Sequence, residues 1–140
     1  MSEVYQQQFT INSQERAAIE ITDMCQSLVQ QSAITTGICT LFIQHTSASL
    51  MITENADPTV REDIETILQR LAPDGDPDYQ HNYEGDDDMS AHIRCLLTND
   101  SLTIPVRENL LALGTWQGIF LYEHRYKAHS RTIVATIIGK

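Results

Sequence analysis

Only three cysteines, Cys25, Cys39 and Cys95, occur in this 140-residue chain, and no two of them form a Cys-x-x-Cys pair. That argues against a zinc ribbon and a thioredoxin-type redox site, and leaves small buried thiols suited to a reducing compartment. Long apolar runs are missing too: nothing approaches the roughly 20 residues that a bilayer-crossing helix needs. The opening residues, MSEVYQQQFT, hold neither a basic nor an apolar stretch. No secretory signal is read there, and a cytoplasmic location is expected. Positive charge is scarce, with 9 Lys and Arg against 19 Asp and Glu and a net charge of −10. Nucleic acid and anionic membrane surfaces both draw on clustered bases, so neither is an expected partner. The chain has no Walker loop, nucleophile elbow or dinucleotide fingerprint.

What is present suits a single domain over residues 1–140 with no linker or repeat. Tyr5 to Ile11 reads as an edge strand and Ala17 to Ile21 as a second apolar run. Thr22 and Asp23 offer caps for a helix marked by Met24, Cys25, Leu28 and Val29. GICTLFIQH, from Gly37, is rich in β-branched and aromatic residues, and LMITEN continues extended after HTSAS. Asp57-Pro58 starts a helix, with Val60, Ile64, Ile67, Leu68 and Leu71 along one face and Pro73 ending it. Residues 73–89 read as a long acidic loop that Tyr79, Tyr83 and His81 can anchor. A short helix capped by Ser90 follows, then the strands SLTIPV, NLLAL, TWQGIFLYEH and RTIVATIIG. One long helix, one or two short ones and at least six mostly antiparallel strands give an α+β class, expected to pack as a β-sandwich.

The chemistry-bearing residues gather at element ends. Of the five histidines, His45 and His124 close strands, His81 lies in the acidic loop and His92 in the short helix after it. Strand ends of one sheet converge, so such rings could share a metal. No HExxH-type pair supports this, and solvated or hydrogen-bonded rings are the competing reading. Thr46, Ser47 and Ser49 follow the strand end with hydroxyls suited to an oxyanion, or to a simple turn. Asn55 could face the same cleft, near a helix start that favours anions. The run DGDPD does not fit a calcium loop, because Tyr79 and Gly85 stand where Gly and Glu are required. Glu84, Asp86, Asp87 and Asp88 could hold magnesium with a substrate phosphate, or be merely solvated. Trp116 could stack on a planar ring, a core or interface position being the commoner outcome. Along the strand, Glu123 and Arg125 share one side and His124 faces away. Arg131 is a candidate phosphate clamp.

The motifs QHTSASL (44–50), NADPTVRED (55–63), YQHNYEGDDDMSAHI (79–93), GTWQGI (114–119), YEHR (122–125) and SRTIVAT (130–136) run in order across nearly the whole chain. In them the sequence resembles the YjbQ family. The resemblance implies an α+β antiparallel sandwich that assembles as a homotrimer. It also implies a weak, secondary thiamine-phosphate synthase activity, which joins an aminopyrimidine diphosphate to a thiazole phosphate and releases pyrophosphate. It places His45, His92 and His124 in one pocket around a divalent metal, zinc among the candidates, with magnesium a further candidate during turnover. It has His81, Glu84 and Asp88 closing the site. Thr46, Ser47, Arg125 and Arg131 become the expected oxyanion binders, with Asn55 and Trp116 completing the substrate contacts. His45, Glu84, Glu123 and Arg131 become the catalytic candidates. A module that binds a metal or a phosphorylated metabolite without turnover uses the same residues.

Overall fold

The computed structural model describes residues 2–140. Eight strands form two antiparallel sheets. β1 (Glu3–Asn12), β3 (Thr36–Ile43), β5 (Ser101–Arg107), β6 (Leu110–Leu111) and β8 (Ser130–Gly139) make a five-stranded sheet in the order β1-β8-β3-β5-β6. β2 (Ala17–Glu20), β4 (Ala48–Glu54) and β7 (Gln117–Glu123) make a three-stranded sheet in the order β2-β7-β4. The helices are α1 (Thr22–Ser32), α2 (Pro58–Leu71) and α3 (Asp88–Leu97).

Period-two alternation explains how these layers stack. Cys39, Leu41, Ile133, Ala135 and Ile137 of the large sheet share a buried cluster with Leu50, Ile119 and Leu121 of the small sheet and with Cys25, Leu28 and Val29 of α1. The alternate residues of β4 and β7, Met51, Phe120 and Tyr122, form a second cluster with Leu68 of α2. β7 is therefore covered on both faces, which is why GIFLYE reads as a continuous apolar run rather than an alternating one. One consequence governs the candidate site. Glu123 belongs to the face between the sheets, whereas His124 belongs to the face toward the helices.

Local chemistry accounts for most boundaries. Asp57 accepts from the Thr59 amide at 2.9 Å and Pro58 occupies the first helical position, so α2 starts as expected. The caps expected for α1 are not used. Ile21 holds its N-cap position without a side-chain bond, and the Thr22 hydroxyl instead joins Glu20 Oε2 at 2.8 Å. NLLAL contributes only the two-residue β6, entered through Glu108 and Asn109, both at positive φ. Helix α3 begins at Asp88, two residues ahead of Ser90. The outward face of the large sheet leaves Val4 and Ile138 exposed side by side, with Ile38 next to Ile138 on the following strand. No helix among the described residues is long and apolar enough to cross a membrane.

Candidate functional site

The polar groups collect at the end of the sandwich where β3 turns into β4 and β7 gives way to the 124–130 segment. The acidic loop is an ordered strap on this end. Arg16 grips Asp74 with two 2.9 Å bonds, and Tyr126 and Ser90 bond the same carboxylate. Tyr79 donates to the Pro73 carbonyl at 2.8 Å, and the Gly75 amide to that of Asp86 at 2.9 Å. Gly85, at φ 108, gives the strap a turn that other side chains resist. Nothing near Arg16 in sequence signals its role as the clamp.

The strap and α3 bring together His81, Asp88 and His92. Asp88 and His92 are four residues apart on the helix and so share a face. Asp88 Oδ2 stands 2.6 Å from His81 Nε2 and 3.2 Å from His92 Nε2, and the three ligating atoms all lie within 4.8 Å of one another. Burial alone would raise the Asp88 carboxyl, but the partners around it, His81 first and then Glu84, His92 and Arg125, hold it below the usual carboxylate range. Glu84 Oε2 is 3.3 Å from His81 Nε2 on the solvent side. Arg125 closes the back of the group, donating to Asp88 Oδ1 at 2.7 Å and to the Glu84 carbonyl at 2.9 Å. Its Nε lies 3.1 Å from Asp87 Oδ2 at an angle that makes no hydrogen bond.

The tautomer of His92 follows from its surroundings. Its Nδ1 is 2.8 Å from the Thr46 carbonyl, which can only accept, so Nδ1 carries the proton. Nε2 then faces a carboxylate oxygen with a lone pair, unless a second proton or a cation stands between them. A ring held by a backbone carbonyl through one nitrogen, with the other aimed at a carboxylate, is a frequent arrangement of metal-ligating histidine.

The other expected ligands stand elsewhere. His45 Nε2 accepts from the Thr132 amide at 2.8 Å, continuing the β3–β8 ladder with a ring nitrogen in place of a carbonyl. His124 is fully buried, its Nε2 2.8 Å from the Ser49 hydroxyl and its ring 4.5 Å from that of Tyr122. Among the described residues, His45, His92 and His124 do not gather as one set of candidate ligands; His92 stands instead with His81 and Asp88. The reason is that each strand-end ring has a nitrogen committed elsewhere, His45 Nε2 to the Thr132 amide and His124 Nε2 to the Ser49 hydroxyl. Glu123 and Arg131 form a buried ion pair at 2.5 Å, with Ser13 on Glu123 and Ser47 on Arg131. The Thr46 carbonyl serves His92. Asn55 and Trp116 lie at the opposite end of β7, about eight strand residues or roughly 25 Å away, so they do not share this site. Trp116 is 62% exposed there rather than buried.

Burial holds His124 neutral. Desolvation first, then Arg94 and Arg16, push it down to about 3. Below the ordinary value near 6.5 the unfolded chain takes up a proton that the folded chain refuses, so stability falls with pH by up to about 1.4 kcal/mol per unit. Above that value the contribution is level. A His124→Gln chain lacks this proton, and its urea midpoint is expected to fall less between pH 6.5 and 5 than that of the natural chain. Equal pH dependence in the two chains would contradict the buried neutral ring.

Residues 7–140 match a family model described as UPF0047 protein YjbQ-like. A UPF0047 protein of Synechocystis is 43% identical over 136 residues, covering 97% of this chain and 92% of that relative. The UPF0047 protein YjbQ of Escherichia coli is 42% identical over 137 residues, covering 97% and 99%. A solved YbjQ-like protein of Sulfolobus solfataricus shares the fold with a TM-score of 0.90 at 29% identity, covering 100% of both chains.

Proposed function

The chain belongs to the YjbQ-like UPF0047 family, and from that premise we propose that His81, Asp88 and His92 hold a divalent metal that serves chemistry on a small phosphorylated molecule. The supporting observation is the meeting of two imidazole nitrogens and one carboxylate oxygen within 4.8 Å, with His92 oriented by a backbone carbonyl. Two histidines and a carboxylate suit zinc or another first-row divalent ion with open positions, better than magnesium, which prefers oxygen. When bound, such a metal supplies Lewis-acid stabilisation to a phosphate oxygen or a departing pyrophosphate.

The chain's own groups define what else the centre does. Glu84 stands beside His81, and Asp76 and Asp86 line a cleft with that ring, so the open side of the centre is acidic. A phosphorylated ligand is repelled by that field, so its binding here depends on the cation. Arg125 is occupied by Asp88 and Glu84 and therefore positions the strap rather than clamping the ligand. Glu84, more than half exposed beside His81, is the carboxylate free to accept a proton from a bound molecule.

The activity assigned to this centre is the weak thiamine-phosphate synthase reaction. In it the bond from the pyrimidine methylene to the diphosphate breaks, the methylene carbon bonds to the thiazole nitrogen, and pyrophosphate departs. Its test is product formation by the full chain with added metal, lost on chelation and in Asp88→Asn. Ligand-induced thermal stabilisation with no product would instead establish a binding module without turnover.

Self-association as a homotrimer forms part of the same reading, supported by Val4, Ile38, Phe42 and Ile138, each at least 43% exposed on the outer face of the large sheet. Sedimentation velocity is expected to give a trimer for the natural chain and smaller species for Phe42→Glu. A natural chain that stays monomeric at micromolar concentration would contradict it. The three unpaired thiols fit a reducing, cytoplasmic setting.

A further inference from the structure

The His45–Arg131 contact has an unusual proton inventory. His45 Nε2 receives the Thr132 amide proton at 2.8 Å, so that nitrogen is an acceptor. An imidazole with one accepting nitrogen at neutral charge carries its proton on the other. His45 is thus locked as the Nδ1–H tautomer, and burial followed by Arg131 holds it on the neutral side. Its Nδ1–H faces Arg131 Nη1 at 3.4 Å, and a guanidinium has only donors. The pair is two donors facing each other, not a hydrogen bond.

The rest of Arg131 is fixed. Nε and Nη2 hold Glu123 at 2.8 and 2.5 Å, and Nη2 also reaches Ser47 Oγ at 3.0 Å, while the side chain is 4% exposed. Only Nη1 is uncommitted, and among the described residues no acceptor faces it or His45 Nδ1. An acceptor with more than one lone pair satisfies both N–H groups at once. The two side chains are held by a ladder amide, a buried ion pair and a serine.

We propose that His45 Nδ1–H and Arg131 Nη1 form a binding subsite for an oxyanion, a phosphate group of a small molecule, that works without the metal held by His81, Asp88 and His92. The two are neighbours through the 45–47 turn, whose Thr46 carbonyl fixes His92 and whose Ser47 fixes Arg131. The subsite offers a phosphate two donors, one from a cation. In this arrangement His45 is a binding residue that donates; it is not a metal ligand or a base.

Titration of inorganic phosphate and pyrophosphate into the full chain, as purified and again after chelation, followed by calorimetry, tests the proposal. Saturable phosphate binding is expected in both states. His45→Met leaves a weak acceptor beside the Thr132 amide and has no donor, so binding is expected to weaken about tenfold, the loss of one hydrogen bond to an anion. Nitrogen NMR of His45 supplies a readout independent of affinity: Nδ1–H in the free chain, with its proton shifted by phosphate. Absence of saturable binding, equal affinity in His45→Met, or binding that vanishes on chelation would each overturn it. The last of these would leave the metal centre standing as the phosphate site, and loss of metal with phosphate binding intact would do the reverse.

Discussion

Asp88→Asn is expected to strip the metal from the purified chain while leaving the fold in place. Asp88 Oδ2 is the one anionic group of the proposed centre and touches both histidines. The replacing amide keeps an oxygen for Arg125, which bonds the Oδ1 side at 2.7 Å. Its NH2 turns toward the two imidazoles and donates to their lone pairs, so the side-chain network survives without a cation. Losing even an outer-shell partner costs a metal site about 10–100-fold in affinity, and a direct anionic ligand costs at least the upper end of that range. Metal content after dialysis should therefore fall from near one ion per chain to background, with a melting temperature close to that of the chelated natural chain. His92→Ala should do the same by a different route. Retained stoichiometric metal in both variants would remove this centre from consideration.

Glu123→Ala is expected to cost about 3–5 kcal/mol, because it leaves the Arg131 guanidinium buried and without its counter-charge. Both side chains are almost fully buried, and Arg131 bonds Glu123 through two nitrogens. Burial alone would raise the Glu123 carboxyl; Arg131 and Ser13 pull it below the ordinary range instead. At roughly 3–4 °C for each kcal/mol in a domain this size, the melting temperature should drop by roughly 10–20 °C at fixed protein concentration. Arg131→Met should be comparably damaging, since it strands a carboxylate. The double replacement Glu123→Leu with Arg131→Met removes both charges and is expected to be milder than either alone. Additive losses would show that the two charges are not coupled in the folded chain.

Much of this architecture was legible in the chain. Asp57-Pro58 with five apolar positions on one face specified α2, and the β-branched runs specified β3 and β8. The meeting of His81, Asp88 and His92 was not read, for a reason that lies in one helix boundary. Starting α3 at Ser90 leaves Asp88 in the loop; starting it at Asp88 puts that carboxylate one turn from His92, and the spacing Asp-x-x-x-His becomes a signal. His45 and His124 misled because strand ends converge only within one layer. Alternation put Glu123 and His124 on opposite sides, but could not say that both sides of β7 are covered. The clamp by Arg16 on Asp74 spans 58 residues and leaves no local trace.

Anomalous diffraction at the zinc edge from zinc-loaded crystals of the full chain addresses the metal centre most directly. A single strong peak is expected among His81 Nε2, Asp88 Oδ2 and His92 Nε2, with each donor about 2.0–2.2 Å from the ion. A peak beside the rings of His45 or His124 instead, or none while the three side chains keep their mutual contacts, would contradict it.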